Sequence, residues 1–132
     1  MRKPEESARA KIDAALAQAG WSVQDADALK LDVARGVVAR EFPLARGHGT
    51  ADYILYVDQH LVGAVEAKPE GHTLTGVEIQ TMKYAEGVPA HLPAVRRPLP
   101  FLYESTGSVT RFTNLLDPDP RSREVGLEHR TV

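Results

Sequence analysis

Small and apolar residues recur at helical spacing near the beginning of the chain. The pattern runs from Pro4 to Ala19 and is followed by Gly20, so it predicts an amphipathic helix over Pro4 to Ala19. Glu5 falls on the apolar stripe of this helix, whereas Glu6 falls on its solvated side. An acid on a stripe that faces the core either compensates the helix dipole or serves a site, and the pattern leaves both open. The stripe consists of Ala8, Ile12, Ala15, Leu16 and Ala19.

Strand patterns follow this helix. The segment Gly36 to Phe42 is rich in residues that favour strands. Two β-branched and aromatic runs, Asp52 to Val57 and Leu61 to Ala67, are separated by Asp58-Gln59-His60, which predicts a hairpin with a three-residue loop. Trp21 to Asp25 is either a short strand or the exit from the helix, and residues 27–33 show no clear period.

A second helix is predicted from Gly76 to Glu86. Thr75 and Glu78 have the spacing of a capping box, and Gly87 supplies the stop. The segment Pro89 to Pro100 contains four prolines and is predicted to be an irregular connector, because proline interrupts both helices and central strands.

Two more short strands, Leu99 to Glu104 and Ser108 to Thr113, follow the connector. The tail over residues 117–132 has little to bury, so it is expected to be a mobile tail or an interface segment. The elements together predict an α/β domain in which a mixed sheet is flanked by helices.

Composition describes one ordinary globular domain over residues 1–132, since a chain of this size buries enough surface for a single core. Cysteine is absent, which excludes disulfides and zinc-thiolate sites. No apolar run approaches the roughly 20 residues of a membrane span. We therefore expect a cytoplasmic protein with no membrane partner. The net charge of −2 argues against a stand-alone nucleic-acid binder.

Two carboxylates of the predicted hairpin fall opposite each other. With a three-residue loop, partner numbers sum to 118, so Asp52 faces Glu66, and Lys68 shares the face of Glu66. Opposed like charges destabilise a sheet, and a hard divalent cation such as Mg²⁺ would relieve the repulsion. The alternative is that Asp52 caps a turn while Glu66 and Lys68 pair on a solvated stripe.

These residues also carry a family resemblance. Asp52, followed after thirteen residues by Glu66-Ala67-Lys68, resembles the core of the PD-(D/E)XK nuclease superfamily, and Gln80-Thr-Met-Lys-Tyr84 is similar to an element of one branch. The wider sequence resembles the N-terminal nuclease domain of the R subunit of type I restriction enzymes. The segments that carry this likeness are Arg40-Glu-Phe-Pro-Leu44, Gly49-Thr-Ala-Asp-Tyr53, Val65-Glu-Ala-Lys68, Tyr84-Ala-Glu-Gly87, Arg97-Pro-Leu-Pro-Phe-Leu-Tyr-Glu-Ser105 and Arg111-Phe-Thr-Asn114.

The resemblance implies a restriction-endonuclease-like fold and a set of catalytic residues. Asp52, Glu66 and Lys68 would be catalytic. Asp52, Glu66 and the carbonyl of Ala67 would bind Mg²⁺, with Mn²⁺ as a substitute. A helix acid often completes such metal sites, and Glu5 is the first choice on the stripe argument, with Glu6 as its rival.

Further residues are expected near the site. Gln80 and Tyr84, one turn apart on one helix face, would contact DNA or support the site, although a helix face packed on the sheet would give the same pattern. His48 could approach a phosphate from the turn before Asp52. Strand alternation leaves the face of Glu41 open.

The implied function is Mg²⁺-dependent cleavage of double-stranded DNA by the nuclease module of a type I R subunit, in a complex with modification and specificity subunits. The chain has no Walker A segment, so ATP would act only through motor domains of a longer protein, and the isolated domain is expected to cleave poorly. The alternatives are a non-catalytic docking module with the same fold and a structure-specific repair nuclease.

Overall fold

The computed structural model describes residues 4–74 and 76–126 as a seven-stranded mixed sheet with two helices. This confirms the predicted α/β class and the mixed sheet. The helices are α1 (Pro4–Gln18) and α2 (Glu78–Glu86), and the strands are β1 (Ser22–Asp25), β2 (Gly36–Pro43), β3 (Thr50–Val57), β4 (His60–Ala67), β5 (Phe101–Ser105), β6 (Thr110–Asn114) and β7 (Arg123–Val125). No helix in the described ranges is both long enough and apolar enough to cross a membrane.

The strands lie in the sheet in the order in which they occur in the chain. β1 pairs with β2 in parallel and β4 with β5 in parallel, whereas the remaining neighbours are antiparallel. The parallel pair of β4 and β5 requires a crossover, and α2 forms part of that crossover and packs on both strands. The chain that leaves β4 is thereby held against the sheet.

Each face of the sheet carries its own apolar core. On one face, Ile12 and Leu16 of α1 pack with residues that include Tyr53 and Val65. On the other face, the core contains α2 residues, and strand positions such as Ile54 alternate with those of the first core. Ala8, Ile12 and Leu16 are all buried, so the predicted apolar face of α1 is confirmed.

The turn of the β3–β4 hairpin is shorter than predicted. Val57 pairs with His60, so the loop is the two-residue segment Asp58-Gln59 and the predicted three-residue loop is wrong. Both residues have positive φ, 49° and 68°, which is the geometry of a type I′ turn. That geometry follows the right-handed twist of the strands, and this explains why the shorter loop is favoured.

A β-bulge compensates for the shorter turn. Tyr56 pairs with Leu61 but Leu55 pairs with Gly63, so Val62 is an additional residue in β4. Beyond the bulge the partner numbers again sum to 118, as in the pair Tyr53 and Val65. The register therefore brings Asp52 opposite Glu66, as predicted, through a combination of turn and bulge that the sequence pattern did not predict.

The α2 helix begins later than predicted. Its first residue is Glu78 and its N-cap is Val77, which makes no side-chain capping bond, whereas the pattern predicts a start at about Gly76. The predicted capping box falls on Thr75, which lies outside the described residues. Gly76 has φ 84°, which is incompatible with a right-handed helix and delays its start. The predicted end is confirmed, because the Gly87 N–H donates to the carbonyls of Lys83 and Tyr84.

The connector after α2 is organised by one arginine. The Arg97 guanidinium donates to four backbone carbonyls, at distances of 2.7–3.3 Å. The acceptors are Val88, Pro89, Ala90 and Leu92. The connector also adds a single parallel bridge, between Leu61 and Ala94. The segment is irregular, as expected, and Arg97 satisfies four of its carbonyls.

Two short edge strands complete the sheet. β1 occupies the segment for which the sequence leaves a strand or a helix exit open, and the strand is the correct alternative. β7 lies within the tail and pairs with β6, so residues 123–125 belong to the sheet. Arg111 of β6 fixes the approach to β7 by donating to Ser122. Residues 127–132 lie outside the described part of the chain.

Candidate active site

Two buried carboxylates meet at one edge of the hairpin. Asp52 lies near the beginning of β3 and Glu66 near the end of β4, with exposed fractions of 9% and 3%. Burial, together with the neighbouring charge of Asp52, raises the pKa of Glu66 to about 7, although a hydrogen bond from Tyr84 and the charge of Lys68 oppose the shift. The pair therefore holds a proton more strongly than isolated carboxylates do.

Both oxygens of Asp52 are engaged. Oδ2 accepts a hydrogen bond from the backbone N–H of Ala67 at 2.8 Å. Oδ1 accepts from the guanidinium of Arg9 on α1, and the same guanidinium also pairs with Glu41 on β2. A helix on one side of the sheet thus supplies a cation to the carboxylate pair. Sequence reasoning missed Arg9, because helical periodicity places it next to Glu6 and Asp13 but says nothing about a contact with β3.

Glu66 belongs to a closed ring of four side chains. The Lys68 ammonium lies 3.4 Å from Glu66 Oε1 and donates to Gln80 Oε1 at 3.3 Å. Gln80 Nε2 donates to the Tyr84 hydroxyl at 3.3 Å, and that hydroxyl donates to Glu66. Burial and the Glu66 carboxylate raise the pKa of Tyr84, which keeps the hydroxyl protonated as a donor. The structure brings together four residues that the sequence assigned to one site.

The carboxylate pair lies between two open clefts. The first, the α1 cleft, has a volume of about 390 Å³ and is lined by Glu6, Arg9, Ala10, Asp13, Asp25, Arg40, Glu41 and Tyr53. The second, the α2 cleft, has a volume of about 680 Å³ and is lined by Gly47, His48, Gly49, Lys68, His72, Gly76, Val77, Gln80, Lys83 and Tyr84. Asp52 contacts the α1 cleft through Arg9, whereas Glu66 contacts the α2 cleft through Lys68 and Tyr84.

The two clefts differ in charge. The described lining of the α2 cleft contains Lys68, Lys83, His48 and His72 and no carboxylate, within a chain whose net charge is −2. The turn that carries His48 is docked on the end of α2, since a Cβ on Gly87 would lie 2.6 Å from the Cβ of His48. The α2 cleft is therefore a locally basic surface beside the buried carboxylates, which suits a polyanion.

A network behind Arg9 fixes α1 to the sheet. The Tyr53 hydroxyl donates to Asp13 Oδ1 at 2.7 Å, and burial followed by this hydrogen bond raises the pKa of Tyr53. Arg40 pairs with Asp13 at 2.8 Å and with Asp25 at 2.7 Å. Because these contacts lie on the face of α1 that carries Arg9, they set the position from which Arg9 reaches Asp52.

The oxygen donors match a hard divalent cation in type. Asp52, Glu66 and the Ala67 carbonyl would supply oxygen ligands, and Glu66 Oε2 is buried without a hydrogen-bond partner. The described residues contain no cluster of three or more histidine, cysteine, aspartate or glutamate residues arranged around a metal position. The Glu5 side chain lies outside the described part of the structure, and Glu6 is exposed in the α1 cleft. Protein ligands would thus come from the hairpin, with waters completing the coordination.

A comparison with known families identifies a relationship for part of the chain. A family model described as "Type I restriction enzyme EcoKI endonuclease subunit second domain" matches residues 26–99, which is just over half of the chain. The chain belongs to this family. The match covers β2, β3, β4 and α2, and so includes the predicted catalytic residues. No curated protein and no solved structure matches the chain.

The family confirms the relationship to the endonuclease subunit of type I restriction enzymes. Its description refers to a second domain, whereas the sequence resemblance was to an N-terminal nuclease domain. The PD-(D/E)XK assignment and the roles of the individual site residues stay predictions.

Proposed function

We propose that this chain is a Mg²⁺-dependent nuclease module that cleaves double-stranded DNA within a type I restriction enzyme, and that its sheet is of the restriction-endonuclease-like, PD-(D/E)XK type. The observation that carries the proposal is the buried pair Asp52 and Glu66, linked through Lys68 to a basic cleft. The family of type I endonuclease subunits supports the same substrate class and the partnership with modification and specificity subunits.

The chemistry assigned to each residue follows from its contacts. Asp52, Glu66 and the Ala67 carbonyl would hold Mg²⁺, which when bound polarises a phosphodiester and lowers the pKa of a bound water. Lys68 lines the α2 cleft and would stabilise the charge that develops on the scissile phosphate. Gln80 accepts from Lys68 and is fixed by Tyr84, so these two residues would position the ammonium.

DNA cleavage by the chain tests the catalytic proposal. Nicking of supercoiled plasmid is measured with Mg²⁺ or Mn²⁺, for the chain alone and in a complex reconstituted with the other subunits. We expect Asp52→Asn, Glu66→Gln and Lys68→Ala to reduce cleavage by at least about a hundredfold, the usual loss when one group that stabilises a transition state is removed. Asp117→Asn, a change of an exposed carboxylate in the tail, is the matched control.

The outcome separates the catalytic proposal from its alternatives. Cleavage that persists in all three site variants and in the control would contradict the site assignment. Cleavage of branched or flapped DNA in preference to a linear duplex would favour a structure-specific repair nuclease.

The basic cleft makes a separate prediction about DNA binding. Lys83 lines the α2 cleft and is not one of the four side chains that form the Glu66 ring. Lys83→Ala is expected to weaken duplex binding by a similar factor for every DNA sequence. The slope of log affinity against log salt concentration should fall in magnitude by about one, since each phosphate contact that is lost releases one counterion fewer. Fluorescence anisotropy over a salt series measures this, and an unchanged slope would place the DNA elsewhere.

A non-catalytic docking module is the second candidate. It is favoured by the pairing of Arg9 with Asp52, which occupies an oxygen that a metal would need. A docking module would support assembly of the complex with unchanged affinity after Asp52→Asn, and it would show no metal-dependent cleavage in any context. Pull-down of the partner subunits by the wild-type and variant chains distinguishes loss of assembly from loss of catalysis.

A further inference from the structure

We propose that Arg9 is a built-in counter-cation that occupies the divalent-cation position at Asp52, so that metal binding requires the Arg9 guanidinium to leave. The inference rests on the proposed function for the identity of the site and adds a control of metal occupancy by α1. Arg9 thereby couples the position of α1 to the occupancy of the metal position at Asp52 and Glu66.

The contacts of the carboxylate oxygens lead to this assignment. Asp52 Oδ2 accepts from the Ala67 N–H, and Oδ1 is paired with Arg9. Of the two carboxylates, only Glu66 Oε2 is a buried oxygen without a hydrogen-bond partner. Because Oδ2 is oriented by the backbone N–H of Ala67, we assign Oδ1 as the Asp52 oxygen that a divalent cation would bind, and a metal ion and the Arg9 guanidinium at that one oxygen would repel each other strongly.

Glu41 anchors the guanidinium from its other side. It is a non-glycine residue with φ 55°, a conformation that favours glycine, and its side chain is 58% exposed yet paired with Arg9. The planar guanidinium presents several donors at once, which lets Arg9 bridge Glu41 and Asp52. Glu41 and Asp52 therefore hold the Arg9 guanidinium between them.

The α1 cleft can receive the displaced side chain. Glu6 and Asp13 line it with Arg9 and Glu41, so a guanidinium that leaves Asp52 stays among carboxylates. The Arg9 side chain is 30% exposed, whereas Asp52 is nearly buried and accepts a hydrogen bond from the Ala67 backbone of β4. The movement therefore needs a change of side-chain conformation and no rearrangement of the sheet.

Mn²⁺ affinity of the metal-free chain tests the inference directly. Isothermal titration calorimetry and the loss of the free-ion electron paramagnetic resonance signal both report binding without any cleavage step. Arg9→Gln is expected to bind Mn²⁺ about tenfold or more tightly than wild type, because a competing charge has been removed from a ligand oxygen. Arg9→Met, which keeps the length of the side chain without its charge, is expected to show the same gain and serves if the first variant is poorly folded.

Lys11→Gln is the matched control. Lys11 lies on the same helix as Arg9 and carries the same charge, but it pairs with the exposed Glu70 instead of Asp52. We expect its Mn²⁺ affinity to stay within about twofold of wild type, because exposed charges are screened by solvent and salt. The gain from Arg9→Gln should also vanish in the background of Asp52→Asn.

Three results would overturn the inference. Equal affinity in wild type and Arg9→Gln would show that Arg9 does not compete, and it would leave the nuclease proposal in place. An equal gain from Lys11→Gln would show that the effect comes from the overall positive charge of α1 and not from the contact between Arg9 and Asp52. Absence of Mn²⁺ binding in every variant at millimolar concentration would overturn both this inference and the metal-dependent mechanism.

Discussion

Replacing Glu66 by glutamine should change the pH dependence of stability in one defined direction. Burial beside Asp52 raises the pKa of Glu66 from 4.5 to about 7 in the folded chain. Between these two values the folded state retains a proton that the unfolded state has released. Stability therefore falls as the pH rises, because the slope of the unfolding free energy follows the difference in bound protons between the unfolded and folded states.

The size of the effect follows from the two pKa values. Each unit of difference is worth about 1.4 kcal/mol, so a shift from 4.5 to about 7 corresponds to a loss of about 3 kcal/mol of stability between pH 4 and pH 8. Glu66 is only 3% exposed, so solvent screening reduces this little. Since a domain is stable by about 5–15 kcal/mol in total, the loss is readily measured.

Urea unfolding of wild type and Glu66→Gln across pH 4 to pH 8, with chelator present, measures the difference. We expect the two to be similar at pH 4 and the glutamine variant to be the more stable by about 3 kcal/mol at pH 8, because it has no charge to bury. Glu70→Gln is the control. The hydrogen bond from Ser108 lowers the pKa of the exposed Glu70, so the contribution of Glu70 to the unfolding free energy rises with pH instead of falling. A difference between Glu66→Gln and wild type that did not vary with pH would refute the reasoning.

Other substitutions test the fold. Arg97→Ala should lower the unfolding free energy by about 2 kcal/mol, since it removes hydrogen bonds to four connector carbonyls, whereas its exposed neighbour Arg96→Ala should stay within about 0.5 kcal/mol in the same urea titration. Gly63→Ala should destabilise the chain by about 1–3 kcal/mol in thermal melts, because the added Cβ would overlap the Phe101 carbonyl oxygen of β5. An unchanged melting temperature would mean that the sheet accommodates the methyl group. Tyr53→Phe should cost about 2 kcal/mol in urea unfolding, because its hydroxyl donates to the charged Asp13 at 2.7 Å, and an unchanged midpoint would contradict that contact.

Local patterns were sufficient for the elements that form the ring of Glu66. Alternation identified both strands of the hairpin, and helical spacing placed Gln80 and Tyr84 on one face of α2. These features depend on residues close together in the sequence. The register at Asp52 was also predicted, but through a loop one residue too long, and the error cancelled against a bulge that has no marker in the pattern.

The missed features depend on distant contacts or weak patterns. Arg9 meets Asp52 across 43 residues, and no local rule relates a helix surface to a strand that far away. β7 is a three-residue polar strand at the edge, too short to show alternation. The late start of α2 follows from the backbone of Gly76, whose conformation the capping-box spacing does not reveal.

The additional residue in β4, Val62, decides whether the two carboxylates lie opposite each other. With the turn at Asp58-Gln59 alone, Glu66 would pair with Ala51, and Asp52 would point to the opposite side of the sheet. Drawing Val62 into regular pairing with β3, with no change in chain length, would thus keep the turn and the apolar content but separate the two carboxylates. Removing Val62 altogether would keep Gly63 opposite Leu55, and so would keep the carboxylates together. The site therefore depends on one residue of β4 staying outside the ladder, at a position several residues from either carboxylate.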